Sequence, residues 1–141
     1  MKKAIIFIVL VGFFITANNV LAVFSDDLLG PKISPDSKLY FLKVWWEKIV
    51  LAFTFNPEKK AEAYKAFAEK KAIEAKQMIL VGKPAIAEKL NAVYKSYLNK
   101  AKDILNKEIQ KAVDKGKETL KQQLEKMVDD IMNKIKEGIK I

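Results

Sequence analysis

An all-α chain is what this sequence predicts: a small bundle, made of a helical hairpin and one long C-terminal helix, behind a signal peptide. Three observations carry that prediction. Between Pro35 and Ala75 two helix starts can be placed from their capping residues. From Leu39 onward apolar residues recur at steps of three and four. From Pro84 to about Lys140 there is no proline, and only Gly116 and Gly138 interrupt helix-forming residues.

The chain opens with the short basic stretch Met1-Lys2-Lys3. An apolar run from Ala4 to Ile15 follows, and Val20-Leu21-Ala22 places small residues where a signal peptidase reads. The reading is a signal peptide over residues 1–22, cleaved after Ala22, and hence an exported, extracytoplasmic product. The alternative is a retained membrane anchor, because the run can be extended toward Phe24 to approach the roughly 20 residues that span a bilayer. Residues 23–37 mix Ser25, Asp26, Asp27, Gly30, Pro31, Ser34 and Pro35 with no sustained period, and read as a linker.

Asp36 or Ser37 is placed to cap a first helix. Its apolar stripe is Leu39, Leu42, Trp46, Ile49 and Phe53, with Trp45 and Ala52 beside it. Lys43 and Glu47 stand one turn apart. They make either an exposed intrahelical pair or a polar pair partly sunk into the helix interface. Asn56 is a favoured N-cap, Pro57 sits where a missing amide hydrogen costs nothing, and Glu58 faces the positive end of the helix dipole, so the second helix begins at Pro57. Ala61, Tyr64, Ala68, Ala72, Ala75 and Ile79 form its narrow apolar stripe, and Gly82 stops it. The expected core is Tyr40, Trp45, Trp46, Ile49, Phe53, Tyr64 and Ala68.

Beyond Pro84 the sequence reads as one long helix or two broken near Gly116. Leu98, Ile109, Leu120 and Ile131 recur every eleven residues, as do Tyr94, Leu105 and Met127 with Gly116 in the remaining slot. A period of 3.67 residues per turn gives a stripe that runs nearly straight. The domain reading is therefore 38–105 for a compact helical domain and 106–141 for an extended lysine-rich amphipathic helix. Its residues Ile109, Leu120, Leu124, Met127, Ile131 and Ile135 have no sequence-adjacent helix left to cover them and are the candidate interaction stripe.

The order P-D-S-x-L-Y-x-L-K-x-x-W-E-K-I-x-L-A-F-T-F-N-P-E-K-K-A-E, followed by A-E-K-K-x-x-E-A, resembles the core of an exported bacterial and archaeal family, Domain of Unknown Function 5667, over roughly residues 35–80. The resemblance implies a helical extracytoplasmic domain, entered from a signal peptide or membrane anchor, without an established catalytic activity. The family usually has arginine and then leucine where this chain has Lys71 and Ala72. If that arginine meets the first-helix glutamate, Glu47 and Lys71 are the corresponding polar pair here, with a point charge in place of a bidentate fork. The chain beyond about Leu105 lies outside the stretch that carries the resemblance.

Composition narrows the chemistry. The chain has no cysteine and no histidine, and all of its basic residues are lysine. Disulfides, lipid-modified cysteine, the common nucleophile-base pairs and zinc sites are thereby excluded in their usual forms. Glu125, Asp129 and Asp130 cluster within about a helical turn, but no glycine-turned calcium loop accompanies them, and they read as a solvated acidic face. Ser96 among lysines lacks an oxyanion loop. No G-x-G-x-x-G or P-loop pattern occurs. No catalytic, cofactor-binding or metal residue is assigned, and no cofactor is expected.

The net charge is +9, or +7 once Lys2 and Lys3 leave with the leader. Such a charge draws the chain toward anionic lipid, cell-wall polymer or nucleic acid, and export argues against nucleic acid. The expected function is that of a non-catalytic cell-envelope module, structural or interacting, that meets a protein partner or a second copy through its C-terminal helix. The alternative is a peripheral binder of anionic membrane surface through the eleven-residue-repeat helix. An enzyme is the remote third reading.

Overall fold

The structure, a computed structural model, describes residues 32–139, so the predicted leader and the linker up to residue 31 lie outside the described residues. Among those residues the chain is four α-helices with no strand: α1 (Tyr40–Phe53), α2 (Pro57–Leu80), α3 (Pro84–Asp114) and α4 (Glu118–Glu137).

The helix boundaries follow from local chemistry. Neither Asp36 nor Ser37 caps α1. Its N-cap is Leu39, which makes no side-chain cap, and Ser37 Oγ instead accepts the Leu39 amide in the turn before it. Asp36 bonds Ser34 and pairs with Lys83, which ties the entry segment to the α2–α3 turn. At α2 the Asn56 side chain accepts the Lys59 amide at 2.9 Å, and Pro57 is the first helical residue. Gly82 (φ 75°) and Gly116 (φ 64°) each end a helix in the left-handed region that favours glycine. At both, the amide of the following lysine reaches back five residues: Lys83 to the Met78 carbonyl (2.7 Å) and Lys117 to the Ala112 carbonyl (2.9 Å).

Of the two readings beyond Pro84 the chain takes the second, a break near Gly116, and this corrects the single long C-terminal helix expected for the fold. α4 turns back along α3, so that the Tyr94 hydroxyl donates to the Lys134 carbonyl at 3.1 Å. One core runs through α2, α3 and α4: Ala61 and Ala68 from α2, Tyr94, Leu98, Ala101, Leu105 and Ala112 from α3, Leu124 and Ile131 from α4. The alanines let the three helices approach closely while the leucines fill the space between them. Lys65 with Asp130 and Lys134 with Glu69 clasp α4 to α2 at the surface. The eleven-residue recurrence thus spans two antiparallel arms of a hairpin, and Gly116 occupies its slot because the chain reverses there.

α1 lies antiparallel on α2. Its C-terminal half contributes Leu51 to a small cluster with Ala63 and Phe67, and its start places Tyr40 against Ala75, Met78, Ala87 and Leu90. Among the described residues no helix is long and apolar enough to cross a membrane.

Because α4 completes the core, Leu124→Ala is expected to lower unfolding stability by about 2 to 5 kcal/mol, the range for deleting a buried leucine. Chemical denaturation checks this. An unchanged midpoint would mean that α4 does not pack on α2 and α3.

Candidate functional site

The rotation of α1 determines the site. Tyr40, Lys43, Glu47, Leu51 and Thr54 follow at steps of three and four and occupy one face. That face points inward: Lys43, Glu47, Leu51 and Thr54 are all buried. α1 therefore turns a largely polar stripe toward the bundle, and the expected apolar stripe is on the wrong side. Trp45 is 63% exposed and Phe53 40% exposed, which corrects their assignment to the core. Trp46, Ile49, Tyr40 and Tyr64 are half-buried, and Ala68 is fully buried.

What the inward stripe meets is a matching polar set. Glu47 and Lys71 are 0% and 1% exposed, with Lys71 Nζ 2.6 Å from Glu47 Oε1. The same ammonium donates to the Tyr40 hydroxyl oxygen at 2.7 Å, and its third neighbour is Glu74 Oε2 at 3.6 Å. Tyr40 passes the chain on, donating to Glu74 Oε2 at 2.6 Å. Lys43 pairs with the other oxygen of Glu74. From α3 the Tyr97 hydroxyl donates to Glu47 Oε2 at 3.1 Å, and its ring meets Tyr64 edge-on with centroids 5.6 Å apart. The Lys71 and Lys43 ammonium groups lie 5.0 and 5.8 Å from the centre of the Tyr40 ring, within cation–π range.

Two ammonium groups thus face two carboxylates, and each carboxylate has contacts on both oxygens. Burial lowers the pKa of Lys71, against the pull of Glu47. Burial, followed by the nearby charges of Lys70 and Lys71, brings Lys43 down to about 8. Tyr40 and Tyr97 are pushed up, first by burial and then by the Glu47 charge, so both stay protonated donors.

Sequence reasoning named Glu47 and Lys71 as a pair, and weighed Lys43 with Glu47 on one helix. The structure brings Glu47 and Lys71 together and sends Lys43 to Glu74 instead. Glu74 and Tyr97 were missed. A signal existed for Glu74: it lies three residues after Lys71, on the same face of α2, as Lys43 lies four before Glu47 on α1. Lys71 is also more than a weakened arginine, since its ammonium has Glu47, Tyr40 and Glu74 as three separate neighbours.

A cleft of about 710 Å³ opens beside the network, with Tyr40, Lys48, Lys71, Lys89, Ser96 and Tyr97 among its lining residues. Ser96 is on its exposed part. The acidic trio of α4 is exposed, Asp130 pairs with Lys65, and among the described residues no group of three or more potential ligands could hold a metal ion.

The candidate interaction stripe is not an open surface. Leu124 and Ile131 are buried, and Ile109, Leu120, Met127 and Ile135 pack against the same core. The expectation that no helix covers them fails because α4 folds back onto α3 and α2.

The buried pair yields a sharp expectation. Glu47→Leu alone leaves Lys71 and Lys43 to share the one carboxylate of Glu74, with a buried positive charge in excess, and should destabilise by about 3 to 5 kcal/mol. Glu47→Leu combined with Lys71→Leu should recover most of that loss, because both charges leave together. Denaturation of the single and double variants checks it; additive losses would show that the two side chains do not act as a pair.

Neither the curated proteins nor the solved structures contain a match to this chain. One family model, described as Domain of unknown function (DUF5667), matches residues 32–137. The match takes in all four helices and extends past Leu105, beyond the residues that carry the resemblance in the sequence. From the entry turn to the end of α4, the chain belongs to the family of this domain of unknown function.

Proposed function

We propose that the protein is a non-catalytic extracytoplasmic module of the cell envelope, which acts by contact and not by chemistry. One observation carries the reading most: the charged groups gathered at the centre of the fold are spent on one another. Lys71 serves Glu47, Tyr40 and Glu74, and Lys43 serves Glu74. A general acid or base has to reach a substrate proton, and a nucleophile needs an adjacent base. Groups closed into a neutral network fit a different task, which is to fix how one helix sits on the others.

Export is supported by the basic start, the apolar run Ala4 to Ile15 and the Val20-Leu21-Ala22 site. The contact element is no longer the C-terminal helix. Its apolar stripe is covered, and its outward residues, among them Gln122, Glu125, Lys126, Asp129 and Asn133, are polar.

Fractionation of cells tests both halves of the proposal. The wild-type chain should be found in the envelope or medium, beginning at Val23 by mass spectrometry or retaining Met1 if the anchor stays. The folded Glu47→Leu/Lys71→Leu variant should fractionate in the same way. Unprocessed, freely soluble chain in the cytoplasm would overturn the export half. A folded double variant that loses its wild-type location would show the network itself to be the working site.

A further inference from the structure

With its polar stripe turned inward, α1 presents the opposite face to the surroundings. Phe41, Leu42, Trp45, Ile49, Ala52 and Phe53 share that face, on the side away from Lys43 and Glu47. Phe41 and Trp45 are each 63% exposed and Leu42 is 42% exposed, with Leu39 exposed just before the helix. Single exposed apolar residues are ordinary. Several large ones contiguous on one helix face mark a contact surface.

The charges around this face choose its occupant. Glu47 is the only acidic residue of α1, and it is buried in the network. The exposed charges at this helix, Lys38 just before it and Lys48 within it, are both positive. Two copies meeting face to face would bring these like charges together. An anionic bilayer surface would receive them, and tryptophan and phenylalanine are the side chains that settle at the headgroup level. In the anchor alternative, where the leader is retained, residues 23–38 span at most about 60 Å even fully extended and keep α1 near the membrane. In the cleaved chain the charge and the apolar face alone bring it there.

We propose that the outward face of α1 is a seat for an anionic lipid surface, into which Phe41, Leu42 and Trp45 insert while Lys38 and Lys48 meet the headgroups. This rests on the contact-module reading and gives that module its partner. It differs from the membrane mode expected from the sequence, since the lipid-facing element is the first helix and not the last.

Trp45 reports on the seat directly, because the chain has only two tryptophans. In the full-length chain, Trp46→Phe leaves Trp45 as the single emitter. Incorporated in bilayers containing phosphatidylglycerol and a brominated phosphatidylcholine, its emission should shift to the blue and be quenched about twofold or more. Lys38→Glu with Lys48→Glu, or Phe41→Ser with Leu42→Ser, should abolish most of the quenching while far-ultraviolet circular dichroism stays unchanged. A control emitter on α4, Lys126→Trp in a Trp45→Phe/Trp46→Phe background, should stay unquenched.

Equal quenching of the emitters at 45 and 126 would mean that tethering alone brings the protein to the lipid, and would overturn the proposal. So would an unquenched Trp45. If that unquenched chain also sediments as a dimer that Trp45→Ser dissociates, a second copy covers the face instead. An unquenched Trp45 in a chain that still fractionates with the envelope overturns the lipid seat alone and leaves the contact-module reading standing.

Discussion

The contact between Lys71 and Glu47, 2.6 Å long and closed off from water, is the constraint from which the arrangement of α1 follows. An unpaired charge in the interior is among the most destabilising features a fold can contain, so each of these groups has to find the other. Glu47 comes from α1 and Lys71 from α2, with Tyr97 of α3 on the second carboxylate oxygen. Only one rotation of α1 about its axis lets all three meet. That rotation also fixes Tyr40 and Lys43 against Glu74, and it leaves the tryptophan side of the helix outward. A polar interaction sets orientation here, whereas an apolar contact would tolerate sliding.

The rest of the bundle is held by different means. α2, α3 and α4 share a core of alanine, leucine and isoleucine in which the buried aromatic Tyr94 bonds a backbone carbonyl at the end of α4. Gly82 and Gly116 reverse the chain between these helices with the same pattern of backbone bonds. The molecule thus divides into a three-helix body stabilised by burial and a first helix that adds small apolar contacts through Leu51 and Tyr40 and takes its orientation from the polar network. Hydrophobic burial is non-directional and gives the body its stability. The network adds specificity of placement for the one helix whose outward face is apolar.

How much of this could be read from the chain differs by element. The start of α2 was legible because Asn56 and Pro57 act locally, and local chemistry needs no knowledge of partners. The Glu47 and Lys71 pair was legible through the family resemblance. The orientation of α1 was not. Its residues carry two stripes at helical spacing, one aromatic and one made of Tyr40, Lys43, Glu47 and Leu51. A rule that turns apolar residues inward selects the first. It fails because the facing helix offers Lys71 and Glu74, whose charges demand partners. The return of α4 was missed for a related reason: periodicity describes a stripe but not what covers it, and Gly116 fits a straight repeat as well as it fits a turn. Its positive φ belongs to the fold, not to the pattern.

The central claim, that a buried ammonium on α2 sets the position of α1, can be tested on that ammonium itself. In a proton–nitrogen correlation spectrum of the lysine side chains, the account predicts a Lys71 ammonium signal protected from solvent exchange, with proton–proton contacts to the Tyr40 ring. The exposed lysines, such as Lys48 and Lys126, should exchange too fast to appear under the same conditions. A Lys71 ammonium that exchanges as fast as those surface groups would contradict the account, because it would place water where the structure places Glu47 and Tyr40.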